Sequence, residues 1–235
     1  MLDQAFEALK TYDWGVDRKV LDPIDEAVVK TRNDPAARKD LESRLLAVLQ
    51  SNAPRDARDY VCRQLRTIGT AASVPALEAL LADAELSHMA RYALERIPEP
   101  QAGQALHRQL PKLSGNLKIG VIASLGARGQ AAPDAKSVSL LRPLLQDRDE
   151  AVARAAAIAL GRIASAEADK ALASAKPRPA LAAVFADASM SCAEKLLAAG
   201  HAREAKSTYQ RLLKNNPPES VRLAAERGLT ACQGT

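Results

Sequence analysis

Aromatic residues are scarce: two Phe, four Tyr and one Trp make up 3% of the 235 residues. Sheets use aromatic and β-branched side chains to pack their pleated faces, so this scarcity argues against a β-rich fold. Histidine and cysteine are also rare, at three each. Cys62, Cys192 and Cys232 lie far apart, form no CxxC, and by their odd number leave at least one thiol unpaired in a monomer. They read as buried free thiols, which fits a reducing compartment. His88, His107 and His201 belong to no HExxH and none lies near a Cys, so no metal site is indicated. The phosphate-cradling patterns GxGxxG and GxxxxGK[ST] are missing, as is the GxSxG nucleophile elbow. These absences assign no catalytic, cofactor-binding or metal residue, and the chain is expected to be neither an enzyme nor a cofactor carrier.

No apolar run reaches the roughly 18 residues of a membrane span. No secretory leader is visible either, so the chain as written is expected in the cytoplasm, or exported if it is a piece of a larger bacterial protein. Charge of one sign is not dominant: 33 basic against 28 acidic residues give a net +5. That balance is too mild for a nucleic-acid signature unless the cations gather on one face.

What the chain has is alanine and leucine, which supply most of its 47% hydrophobic content. Both are strong helix formers, and the fold class they predict is all-α. Residues 140–165, LLRPLLQDRDEAVARAAAIALGRIAS, read as two helices joined by an acidic turn. The first carries Leu140, Leu141, Leu144 and Leu145, and the second carries Val152, Ala155, Ala156, Ala159 and Ile163 at helical spacing. Neither stripe can be buried alone. Weaker copies lie upstream, anchored on Leu65, Leu94, Leu125 and Leu160, 29, 31 and 35 residues apart. Each is followed by a second amphipathic stretch: 74–81, 101–110, 139–145 and 168–175. A helix pair at this period predicts a right-handed α-solenoid of stacked antiparallel pairs. Gly69, Pro98 and Gly129 are read as breaks between helices, and 126–133 (GARGQAAP) as the longest connection.

The stretch LLQDRDEAVARAAAIALGRIAS resembles a HEAT repeat of the short bacterial type related to phycobilin-lyase repeats. The matching residues are Leu145, Asp147, Asp149, Val152, Ala156, Ala157, Ala159, Leu160, Gly161 and Ile163. The resemblance implies a helical-repeat scaffold, with a lyase acting on a tetrapyrrole or other small ligand as one alternative. The paired His-Glu iron motif of HEAT-type hydroxylases is not present. Where the family has Arg after Val this chain has Ala153, so the array is read as held by Ala and Leu packing rather than by an Asp–Arg ladder.

The ends differ. Residues 1–52 are read as a helical cap, with Phe6, Tyr12 and Trp14 serving its core or, alternatively, a partner. A second helix runs to about Arg32 with Pro23 inside it, starting a fresh turn there. Asn33–Asp34–Pro35 then starts another helix, because an Asx cap precedes Pro at the first helical position. Residues 53–177 form the repeats. Residues 178–235 follow a stiff Pro-rich break, and AEKLLAAGHAREAKSTYQRLLKNNP resembles a tetratricopeptide repeat through Ala205, Tyr209, Leu212 and Pro217.

Equivalent positions in successive helices form columns. Two residues before each anchor stand Arg63, Tyr92, Ala123 and Ile158; one after stand Arg66, Glu95, Gly126 and Gly161; two after stand Thr67, Arg96, Ala127 and Arg162. No column is consistently basic, which argues against phosphate tracking by a HEAT-like superhelix. Arg63, Arg66, Tyr92, Arg96 and Ile158 instead make a mixed strip of residue types favoured at binding hot spots. The expected function is binding of a protein or peptide, possibly acidic, by a monomer.

Overall fold

A computed structural model describes residues 1–215 and 217–233. Asn216, Gly234 and Thr235, the last two at the end of the C-terminal segment, lie outside the described residues. Fourteen α-helices and no strand occur among the described residues. The chain divides into two compact units, Met1–Leu113 and the part from Ser114 onward.

The first unit contains α1 (Leu2–Leu9), α2 (Asp22–Lys30), α3 (Pro35–Leu49), α4 (Arg55–Ile68), α5 (Val74–Ala79), α6 (Ser87–Leu94) and α7 (Pro100–Gln109). Helix α4 packs between α3 and α6, while α5 packs against α6 and α7, so the helices fall into two layers. Asp34 caps α3 through the backbone amides of Ala36 and Ala37, as its position before Pro35 predicts. Pro23 lies in the first turn of α2 and starts a fresh helix there, as expected, after a short 3-10 turn at Arg18–Leu21. The anchors Leu65 and Leu94 are fully buried.

The second unit contains α8 (Gly115–Ala131), α9 (Ala135–Leu141), α10 (Glu150–Ile163), α11 (Ala166–Ser174), α12 (Ala182–Ala198), α13 (Ala202–Lys214) and α14 (Glu219–Ala231). Helix α10 packs between α8 and α12, and α9 and α11 form the second layer beside them. Leu125 and Leu160 are buried between the layers. Both units are thus α-solenoid stacks of antiparallel helix pairs. At the far end Ala205, Tyr209 and Leu212 of α13 join Val221 and Ala225 of α14 in one buried cluster. Gly228 leaves the space that the Tyr209 ring fills.

Three expectations need correction. GARGQAAP is no loop, because α8 runs through Ala131. Its glycines serve close packing: a Cβ on Gly126 would lie 2.8 Å from the Cα of Ala159, and one on Gly129 would strike the Ile163 side chain. Trp14 is no part of a cap core; it is 91% exposed, whereas Phe6 is buried. Polar ties between repeats also exist, although not at the family's Arg position. The buried Glu42 carboxylate on α3 accepts from the Thr70 amide at 2.7 Å and from the Thr70 hydroxyl at 3.0 Å. Arg38 Nε donates to the Ile68 carbonyl, Arg108 pairs with Glu78, and Arg178 donates to the carbonyls of Asp147 and Arg148. Asp25 on α2 accepts from Tyr60 and Gln64 on α4, both at 2.9 Å. Each of these bonds joins positions about one repeat apart, so packing and polar ties act together.

Candidate functional site

Four of the five strip residues lie in the first unit, and two of them, Arg66 and Tyr92, are in contact. On α4, Val61, Cys62, Leu65 and Ile68 turn inward, which leaves Arg63 exposed and Arg66 half-buried at the edge. On α6, Ala90, Ala93 and Leu94 turn inward and Tyr92 remains 36% exposed. The two helices are neighbours, and the Arg66 guanidinium carbon lies 4.3 Å from the centroid of the Tyr92 ring. This cation–π contact fixes the plane of the phenol ring at the surface. Arg63 reaches back one turn to Asp59 at 2.6 Å, so an internal acid already balances part of its charge. Arg96 is exposed just beyond α6. No ion pair joins Arg66 or Arg96 to an acid among the described residues, and Arg66 Nε is buried without a hydrogen-bond partner there.

Ile158 belongs to the second unit. It is 44% exposed on α10, in line with Arg154 and Arg162 one turn to either side. It borders a groove of about 720 Å³ between α10 and α12, whose other walls include Arg162, Val184, Asp187, Ser191 and Glu194. One end of this groove is closed by Lys195, whose ammonium donates to the carbonyls of Gln130 on α8, at 3.1 Å, and Ile163 on α10, at 3.4 Å. The α12 residues of the groove follow the Pro-rich break and so fall outside the columns anchored on Leu65, Leu94, Leu125 and Leu160. A usable signal was Ala188, a small residue 29 positions after Ala159. Gly161 packs against Ala188 as Gly126 packs against Ala159.

Chemistry-bearing side chains are otherwise buried or dispersed. Cys62 and Cys192 are fully enclosed, and burial pushes both thiols up to about 12, which keeps them protonated and unreactive. Among the described residues no group of three or more His, Cys, Asp or Glu side chains could hold a metal ion. No described helix is long and apolar enough to cross a membrane.

The packing defines an all-α helical-repeat protein, and comparison with known proteins adds little beyond that class. No family model and no curated protein matches the chain. Among solved structures it is similar to an engineered protein from a structural genomics consortium, with 22% identity and a TM-score of 0.46, over 90% of this chain and 96% of that one. A second engineered protein gives 20% identity and a TM-score of 0.48, over 99% of this chain and 68% of that one. A designed armadillo repeat protein in complex with the peptide (KR)4 gives 19% identity and a TM-score of 0.40, over 98% and 99%. That peptide is the designed protein's own ligand.

Proposed function

We propose that this chain is a non-catalytic scaffold that binds a protein or peptide on the exposed faces of its helices. An acidic segment of the partner would sit on Arg63, Arg66, Tyr92 and Arg96. The observation that supports this most is the surface stack of Arg66 on Tyr92. A tyrosine held in one orientation offers a large contact area at low entropic cost. Guanidinium groups beside it can grip a carboxylate through two parallel hydrogen bonds. Arg66 and Arg96 supply the charge, since Arg63 is already shared with Asp59.

A nucleic-acid reading has less behind it. The outward positions of α10 offer Arg154 and Arg162, but α12 sets Asp187 and Glu194 beside them. Alternating signs repel a phosphate backbone as often as they attract it.

Fluorescence anisotropy with a labelled peptide of alternating Glu and Leu tests the proposal. The intact chain should bind it, with affinity falling as salt rises. Tyr92→Ala or Arg66→Glu should each weaken binding about tenfold or more, as loss of a hot-spot residue does, without changing the melting temperature. Absence of binding by the intact chain, or binding by both variants as tight as that of the intact chain, overturns the proposal.

A further inference from the structure

The Pro-rich break between α11 and α12 and the Pro217–Pro218 step between α13 and α14 border a hollow in the second unit that the repeat packing does not explain. It holds about 550 Å³ and lies among the C-terminal ends of α11 and α13 and residues 182–189 of α12. Leu172, Phe185 and Leu212 are buried and form its floor. Ala182 and Ala186, four residues apart on one face of α12, are too small to fill it. Pro177, Pro217 and Pro218 stand at its rim. Proline fixes its own φ, so the rim is stiff and the hollow stands ready-formed.

One polar side chain inside it is left without a partner. Ser189 is 6% exposed and lines the hollow, yet its hydroxyl makes no hydrogen bond among the described residues. A helical serine often returns its hydroxyl to the carbonyl four residues back, as Ser124 and Ser191 do here. Ser189 does not, so its donor is free for a group that enters the hollow. Arg211 borders the same space. The buried Asp169 holds it through both carboxylate oxygens, which fixes the guanidinium and leaves it N–H donors to spare. Ala182 at the start of α12 is exposed and Ser189, two turns on, is buried, so the hollow opens near Ala182 and ends near Ser189.

The sign of the hollow follows from its side chains. No Asp or Glu lines it among the described residues, and Asp169 balances Arg211. Lys176 also lines it and makes no ion pair among the described residues. Two helix C-termini and one N-terminus meet here, and their partial charges sum to about half a negative unit. The full charge of Lys176 exceeds that, so the hollow favours an anion.

We propose that this hollow binds a small amphipathic carboxylate, a molecule with an apolar body and one acid group, of the class of medium-chain fatty acids. The carboxylate accepts from the Ser189 hydroxyl and from Arg211 at the inner end. The apolar body lies over Phe185, Leu172 and Leu212 towards the proline rim. The volume and the mostly apolar lining with a few polar groups are those of small-molecule sites in general. The site goes beyond the peptide-binding reading and lies in the other unit from the basic strip.

Isothermal titration calorimetry of the full chain with octanoate, octanol and octylammonium tests the site. Octanoate should bind about tenfold tighter than octylammonium, with octanol between them. Ser189→Ala removes only the hydroxyl, so it should keep the melting temperature and weaken octanoate about tenfold, as loss of a hydrogen bond to a charged group does. Lys176→Glu should weaken octanoate, strengthen octylammonium and leave octanol unchanged. Ala182→Phe, at an exposed position by the opening, should block all three. Arg66→Glu, in the other unit, should change none of them. No binding of octanoate, equal affinity for octanoate and octylammonium, or an unchanged octanoate affinity in Ser189→Ala overturns the site. So does loss of octanoate binding in Arg66→Glu, which would put the ligand on the basic strip instead.

Discussion

Gly161 and Ala188 touch backbone to backbone: a Cβ on the glycine would sit 2.8 Å from Ala188 Cα and 3.0 Å from its Cβ. Gly126 stands to Ala159 at the same distances. On helix propensity alone, replacing glycine by alanine inside a helix gains about 1 kcal/mol. Here the added methyl must push two helices apart, and overpacking of this kind costs about 1–3 kcal/mol. Gly161→Ala is therefore expected to be neutral or destabilising and Gly161→Val clearly destabilising, by urea denaturation. A stabilised Gly161→Ala would show that the helices are not in backbone contact.

Leu160 tests the register of the repeats. It is fully buried on α10. Leu160→Ala should cost about 2–5 kcal/mol, the transfer of its methyl groups plus the cavity left behind. Leu160→Asp should show no cooperative thermal transition, because the carboxylate would be buried without a partner. A parent-like melt for Leu160→Asp would contradict the packing.

Glu42 tests the polar ties. Its buried carboxylate accepts from Thr70 N–H, the Thr70 hydroxyl and the Ser73 hydroxyl. Glu42→Ala strands these donors and is expected to cost about 1.5–3 kcal/mol, seen as a lower urea midpoint at unchanged slope. Glu42→Gln should recover part of the loss, since its amide oxygen still accepts.

The thiols predict a pH dependence. Burial raises both Cys62 and Cys192 to about 12. An unfolded cysteine ionises near about 8.5, so the stability they contribute is complete below that pH and is lost progressively as pH rises towards 12. The melting temperature of the parent should fall more steeply above pH 9 than that of Cys62→Ala/Cys192→Ala. In the native state at pH 8 a thiol reagent should modify Cys232, which is half-buried, and reach the other two only on unfolding.

Much of this architecture is legible in the sequence because burial writes a periodic signal. Leu65, Leu94, Leu125 and Leu160 announce the repeat, and all four are buried. Asp34 before Pro35 announces the start of α3. What the sequence hides is pairwise. A glycine in isolation reads as a break, and only the opposing Ala159 reveals Gly126 as a packing contact. The same holds for Glu42, whose partners lie 28 and 31 residues away. Trp14 misled for a related reason: aromatic side chains are usually buried, and nothing local marks this one as exposed. Of the strip, Arg66 and Tyr92 share a column neighbourhood and do meet, whereas Ile158 shares a column with Tyr92 and lies in the other unit.

Lys195 gives the second unit a mechanical property. In a solenoid each repeat touches only its neighbours, so bending behaves like springs in series, with every junction free to flex on its own. The Lys195 ammonium, carried by α12, is bonded both to α10 next to it and to α8 one helix further away. This second-neighbour link acts as a brace across two junctions at once. Flexing either junction at that end strains the bond spanning both, so the stack is stiffer there than neighbour contacts alone would make it.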